Sequence, residues 1–326
     1  MRERWRKGMS LYGLSDVNFP HLGIEIHNLP MGVEVFGVRI AFYGAIIALG
    51  MLIGYLVAES QAKRFGQSVE KLLDFALIAI VASVIGARIY YVIFHWDVFA
   101  DNPWQVFNLR TGGLGIYGGV IVAFISVIVF CKVKKLNLGA FADVCIPGLI
   151  TGQAIGRWGN FFNKEAFGKY TDGFFAMQVE KGAVDYEYRL TEEALQIRFP
   201  EQPQAIANIL EQVEKAVVID GTTFIQAHPT FLYESLWNFG ILAFMLIYAK
   251  KKRFDGEIIM WYMVLYGIGR FWIEGLRTDQ LFLWNTGIPV SQLVSVVMVL
   301  IGGSVIGYNY WKVWKAKKEV ATAKSN

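Results

Sequence analysis

Long apolar runs broken by short basic stretches dominate the chain. Runs long enough to cross a hydrocarbon layer of roughly 30 Å fall at about 38–58, 74–95, 114–132, 140–160, 229–249, 257–275 and 289–310. Seven transmembrane helices are expected from them. Lys63, Arg64 and Lys71 follow the first run, Lys132, Lys134 and Lys135 the third, Lys250 to Arg253 the fifth, and Lys312, Lys315, Lys317 and Lys318 the last. Lys and Arg are retained on the cytoplasmic side, so the N-terminus is placed outside and the C-terminus inside. The expected fold class is an all-α polytopic membrane protein. Its parts are an extracytoplasmic segment at 1–37, helices one to four over 38–160, an extracytoplasmic head at 161–228, helices five to seven over 229–310 and a basic cytoplasmic tail at 311–326. Within the head, Ile206, Ile209, Leu210 and Val213 recur at helical spacing, and strand-like runs flank an Asp220-Gly221 turn. HWDVFADNPWQVF (95–107) interleaves aromatic and polar residues, as expected of a segment lying in the headgroup layer.

Composition agrees. Of 326 residues 55% are hydrophobic, and the mean hydropathy of +0.39 suits a chain solvated largely by lipid. The net charge of +4 is small and its basic residues flank apolar runs, so nucleic-acid binding is not expected. Cys131 and Cys145 lie in or at the end of apolar stretches without metal-type spacing, and read as packing residues. Arg2, Arg4, Arg6 and Lys7 are not followed directly by an apolar run, so no cleavable signal peptide is expected. No GxGxxG after a strand, Walker loop or HExxH occurs, and neither a metal nor a cofactor is expected.

Polar groups inside the apolar runs carry the candidate chemistry, because a charge near mid-membrane costs roughly 2.5 to 3.5 kcal/mol even on the lenient insertion scale. GRWGNFFNKEAFG (156–168) ends the fourth run with Gly156, Arg157, Asn160, Glu165 and Gly168. In the sixth, Tyr266, Arg270, Glu274 and Arg277 share one helical face. Two arginines against one glutamate leave that face positive and fit to receive an anion. Arg88 lies in the second run, Tyr43 in the first, Asp143 near the start of the fourth, and His228 and Glu234 around the start of the fifth. Glycine-rich RTGGLGIYGGV (110–120) opens the third, where free amides at a helix start favour an anion. For any single group, interhelical pairing explains the residue about as well as function does. The set is harder to explain that way, since Arg157, Asn160, Arg270 and Arg277 all fall toward the outer ends of their runs.

The ordered pieces FYG (42–44), the Arg88 segment, GGLGIYGG, FAD (141–143), GRWGNFFNKEAFG, HPTFLYE (228–234) and GRFWIEGLRTD (269–279) resemble the bacterial prolipoprotein diacylglyceryl transferase family over about residues 36–310. The resemblance implies a bacterial cytoplasmic-membrane enzyme. Such an enzyme moves the diacylglyceryl group of phosphatidylglycerol onto the thiol of the lipobox cysteine in a prolipoprotein signal peptide, with glycerol phosphate leaving. It assigns catalysis to Arg157, Arg270 and Glu274, and Tyr117 is counted with them as a group that positions substrate. Phosphatidylglycerol binding falls to Tyr43, Arg88, Arg157, Asn160, Glu165, Gly168 and Arg277, and support to Asp143, Gly156, His228 and Glu234. The chain departs from the family pattern at Tyr117, where many members have a histidine suited to act as base. A phenol of pKa about 10 is a poor base, which leaves His95, His228 and Glu274 as further candidates. The 170–226 segment is longer than the family's usual head. A membrane transporter or channel for a small organic anion is the competing reading, since it too would use intramembrane arginines.

Overall fold

The computed structural model describes residues 9–109, 112–188, 191–198, 202–283 and 286–325. The basic residues at 2–7 and Arg110 lie outside them. The chain begins with strands β1 (Met9–Tyr12), β2 (Ser15–Phe19), β3 (Ile24–Leu29), β4 (Gly32–Val35) and β5 (Val38–Ala41), then helices α1 (Phe42–Arg64), α2 (Val69–Phe94), α3 (Ile116–Val133) and α4 (Leu138–Asn163). Next come β6 (Met177–Glu180), short helices α5 (Lys181–Tyr188), α6 (Glu192–Arg198) and α7 (Pro203–Glu214), and strands β7 (Val217–Ile219) and β8 (Thr222–Ala227). Helices α8 (Thr230–Tyr248), α9 (Glu257–Leu276) and α10 (Val290–Ser325) complete it.

Among the described residues six helices are long and apolar enough to cross a membrane, spanning 42–64, 69–94, 116–133, 138–163, 230–251 and 290–318. This is a multi-pass membrane protein. The sixth expected run does form a helix, α9, but it is not among the six; it carries Glu257, Arg270 and Glu274. Only 17% of the apolar stretch is buried in α1, α2, α3 and α10, against 56% in α4. The first four therefore present leucine, isoleucine and valine outward, as lipid requires, while α4 is an interior helix.

The all-α expectation is corrected by two antiparallel sheets, ordered β1-β4-β5 and β3-β2-β6-β8-β7. Period-two patterning produces them: in SDVNF the side chains of Ser15, Val17 and Phe19 are buried in alternation. β4 and β5 form a hairpin that turns at Phe36 and Gly37, both with positive φ. Residues 38–41, expected to open the first span, are its second strand, and α1 begins at Phe42. The expected helix in the head forms as α7, and the Asp220-Gly221 turn closes the β7–β8 hairpin with φ of 48° and 81°. Because β2 pairs with β6, the N-terminal segment and the 161–228 region share one sheet. Val17, Phe19, Phe161, Phe167, Val179, Ile225 and Phe231 form the core beneath it.

The chain divides into two compact units, one of residues 1–54, 149–250 and 260–326, the other of 55–148 and 251–259. In the second unit, Phe130, Cys131, Phe141 and Val144 form a core cluster, and both cysteines are free thiols. There Asp143 caps the start of α9: its carboxylate accepts from the amides of Gly256 (2.9 Å), Ile258 (2.9 Å) and Ile259 (3.1 Å), and Lys252 Nζ lies 3.2 Å away. These are the otherwise unpaired donors of a helix N-terminus, which a carboxylate satisfies best. Asp143→Ala is expected to cost about 1–2 kcal/mol, read as a lowered Tm in detergent, with Asp143→Asn retaining part of the loss.

Candidate active site

Helix periodicity places Arg270 and Glu274 one turn apart on α9, with Arg277 just past its end. The structure adds Glu234 from α8 and Arg157 from α4. Glu234, 4% exposed, is the hub: its Oε2 pairs with Arg157 Nε, and its Oε1 lies 2.8 Å from Arg270 Nη1 and 3.7 Å from Arg277 Nη1. Arg270 also pairs through Nη2 with buried Glu274. Arg277 donates Nε and Nη2 to Asp279 at 2.9 and 2.7 Å, a bidentate fork. The excess positive charge expected from α9 alone is therefore corrected. Three guanidiniums meet three carboxylates, Glu234, Glu274 and Asp279, because one partner comes from another helix and one from two residues beyond Arg277.

The arginines differ in what they have left to offer. The Arg157 side chain is 25% exposed, Arg270 18% and Arg277 12%. Arg157 is described in one pair only, through Nε, whereas the other two engage carboxylates through several nitrogens. A cavity of about 10 Å³, room for roughly one water, is lined by Glu234, Asn238, Tyr266 and Arg270 among others.

Around this cluster the loop after α4 is tightly organised. Asn160 and Asn163 donate to Glu165 Oε1 at 2.9 and 3.3 Å. Gly168 bridges two strands of backbone: its amide donates to His228 O at 2.8 Å, and it pairs with Arg277. A Cβ there would stand 2.7 Å from His228 Cβ and 2.8 Å from Leu276 O, so only glycine permits the approach. Tyr43 packs on Gly159, and Ile47 lies 3.0 Å from where a Cβ on Gly156 would be. α4 and α8 are joined through Ser235, which accepts from Trp158 Nε1 and donates to Ala154 O. The His228 ring lies 3.3 Å from the Tyr233 hydroxyl, and burial pushes its pKa down, favouring the neutral imidazole at neutral pH.

All these residues belong to the first unit; Arg88, Tyr117 and Asp143 belong to the second. Arg88 is 6% exposed and spends all five N–H donors on loop carbonyls: Nε on Val106 O, Nη1 on Gly112 and Gly113 O, and Nη2 on Gln105 and Asn108 O, at 2.7 to 3.1 Å. The glycine-rich segment serves packing as well. The Gly115 amide donates to Ala87 O, and a Cβ on Gly118 would stand 2.3 Å from Gly86 O. Tyr117, 37% exposed, lies near Tyr90 on α2. Sequence reasoning missed Asp279, whose RTD spacing was the available signal, and the environment of Lys164.

A multi-pass membrane protein with a buried arginine–carboxylate cluster at the ends of three helices is the class that fold and site define. The family model described as prolipoprotein diacylglyceryl transferase matches residues 30–308, and the chain belongs to that family. It is 38% identical over 276 residues to the phosphatidylglycerol–prolipoprotein diacylglyceryl transferase of Clostridioides difficile (85% of this chain, 92% of the relative). It is 39% identical to the protein of the same name from Finegoldia magna over 270 residues (82% and 91%), and likewise 39% identical to that of Clostridium botulinum strain Loch Maree over 272 (83% and 93%).

Removing one partner of a buried ion network strands the remaining charges, at about 3–5 kcal/mol. Glu234→Ala, which leaves Arg157 without its described partner and takes one carboxylate each from Arg270 and Arg277, is accordingly expected to lower Tm more than Asp279→Ala, measured by thermal unfolding in detergent.

Proposed function

We propose that this chain transfers the diacylglyceryl group of phosphatidylglycerol to the lipobox cysteine of prolipoproteins in the bacterial cytoplasmic membrane. The observation that carries this reading is the meeting of Arg157 and Arg270 on Glu234 in a multi-pass chain of a transferase family. The headgroup phosphate of the lipid is an anionic diester, and a guanidinium matches it with two parallel N–H donors. Arg157, the most exposed of the three, takes the phosphate; Arg270 supports it from α9. Arg277, held in its fork by Asp279, and Arg88, with every donor engaged, serve as scaffold.

In the reaction the substrate thiolate attacks the glycerol carbon bearing the phosphate ester. The C–S bond forms as the C–O bond breaks, the electron pair leaves on glycerol phosphate, and the thiol proton passes to a base. Charge gathers on the phosphate as the bond breaks. A guanidinium already oriented by Glu234 therefore stabilises the transition state more than the ground state. Asn160, oriented by Glu165, and Tyr43 on Gly159 border the lipid headgroup. Tyr117 is assigned to positioning substrate through its hydroxyl, and neutral His228 is suited to accept the thiol proton.

The same reading takes α9 as a seventh span, its charged face turned into the cluster, and places the N-terminus and residues 161–228 outside and the 311–326 tail in the cytoplasm. The basic flanks of the apolar runs support that orientation.

Purified protein supplied with phosphatidylglycerol and a lipobox peptide is expected to yield diacylglyceryl peptide and free glycerol phosphate. Absence of both, where a family enzyme works, overturns the reading. Arg157→Ala in folded protein is expected to lower kcat by about 10²–10³-fold, with Arg157→Lys intermediate. Tyr117→Phe is expected to raise KM with a smaller effect on kcat, measured by steady-state kinetics in mixed micelles.

A further inference from the structure

Lys164 stands in the middle of GRWGNFFNKEAFG, yet the chemistry above does not use it. Its side chain is 2% exposed, an unusual place for an ammonium group. Its described hydrogen bonds go to main chain and not to acids: Nζ donates to Gly13 O at 2.6 Å and to Leu29 O at 2.7 Å. Gly13 lies in the connection from β1 to β2, and Leu29 ends β3 just before β4. Both connections pass from one sheet to the other. The ammonium thus ties the two N-terminal crossings to the loop after α4.

That loop is under local constraint. Lys164 and Ala166 both adopt positive φ, 55° and 57°, a region non-glycine residues occupy only when their surroundings hold them there. Glu165 sits between them. Its amide donates to Asn160 O at 3.1 Å and its carboxylate receives Asn160 Nδ2. Ala166 O accepts from the Thr230 hydroxyl, Phe167 O accepts from Thr278 at 3.3 Å, and the Gly168 amide meets His228 O. The last three contacts hold the C-terminal half of the loop, and Lys164 holds the half that precedes Glu165.

We propose that Lys164 is a positioning residue: by clasping Gly13 O and Leu29 O it fixes the left-handed turn that aims Glu165 at Asn160, one helical turn from Arg157. Burial, which pushes the ammonium pKa down to about 8, is consistent with a group kept dry for this purpose. The proposal rests on the transferase reading for its effect on turnover, but the clasp itself does not.

The test compares full-length wild type, Lys164→Met, Lys164→Gln and Lys164→Arg. Two readouts are taken: hydrogen exchange of the peptide covering residues 160–168, and kcat and KM with phosphatidylglycerol and a lipobox peptide. Met fills the same space without donors. In Lys164→Met, exchange is expected to quicken about tenfold or more and kcat to fall about tenfold or more with KM little changed, while Lys164→Arg, which keeps donors and charge, recovers part of both. Unchanged exchange, or quicker exchange with wild-type kcat, overturns the proposal. If Lys164→Met does not fold, Lys164→Gln decides: values between wild type and the loss expected of Met support the clasp, and wild-type values overturn it. Should wild type itself transfer nothing, the transferase reading fails and the exchange comparison alone decides the clasp.

Discussion

A buried carboxylate shared by three guanidiniums is the constraint on which the candidate site depends. Glu234 cannot lie 4% exposed without cations, and the cations it meets come from α4, from α9 and from just beyond α9. The backbones must approach closely enough for those side chains to meet. Small residues allow it: Ser235 joins α8 to α4 through Ala154 and Trp158, and Gly168 lets the post-α4 loop lie against His228 and Leu276. Cluster charge balances, so the arginines are oriented before any substrate arrives and do not depend on it for their geometry. Preorganised donors of this kind are what a reaction with a departing phosphate calls for.

Two other buried cations follow a different rule. Arg88 and Lys164 both donate to carbonyl oxygens in irregular backbone, Arg88 to the 105–113 loop and Lys164 to the crossings between the N-terminal sheets. Carbonyls at loop bends lack ladder partners, and near lipid they lack water as well. A long cationic side chain with several donors satisfies more than one at once.

The apolar runs were legible because lipid imposes length and hydropathy on each helix separately, and the helices at 69–94, 116–133, 138–163 and 230–248 formed within a few residues of the expected limits. The five N-terminal strands were not. GVEVFGVRIA alternates at period two, but its strands are four residues long and the second runs directly into α1, so by hydropathy residues 38–41 are continuous with the first helix. Spacing on α9 correctly placed Arg270 and Glu274 on one face and missed the charge balance, which depended on residues outside that helix.

By itself, then, the sequence determined that the chain is built of membrane-crossing helices, which segments carry intramembrane charge, and through the order of its motifs the family to which it belongs. These are properties of local composition and spacing. Which charges neutralise one another was decided only by tertiary structure. Glu234 and Arg157 lie 77 positions apart in the chain and pair because α4 and α8 pack. Gly13 and Lys164 are 151 apart and meet because the N-terminal strands fold onto β6. Ion pairs and hydrogen bonds act over a few ångströms, so their partners follow from packing and not from position along the chain.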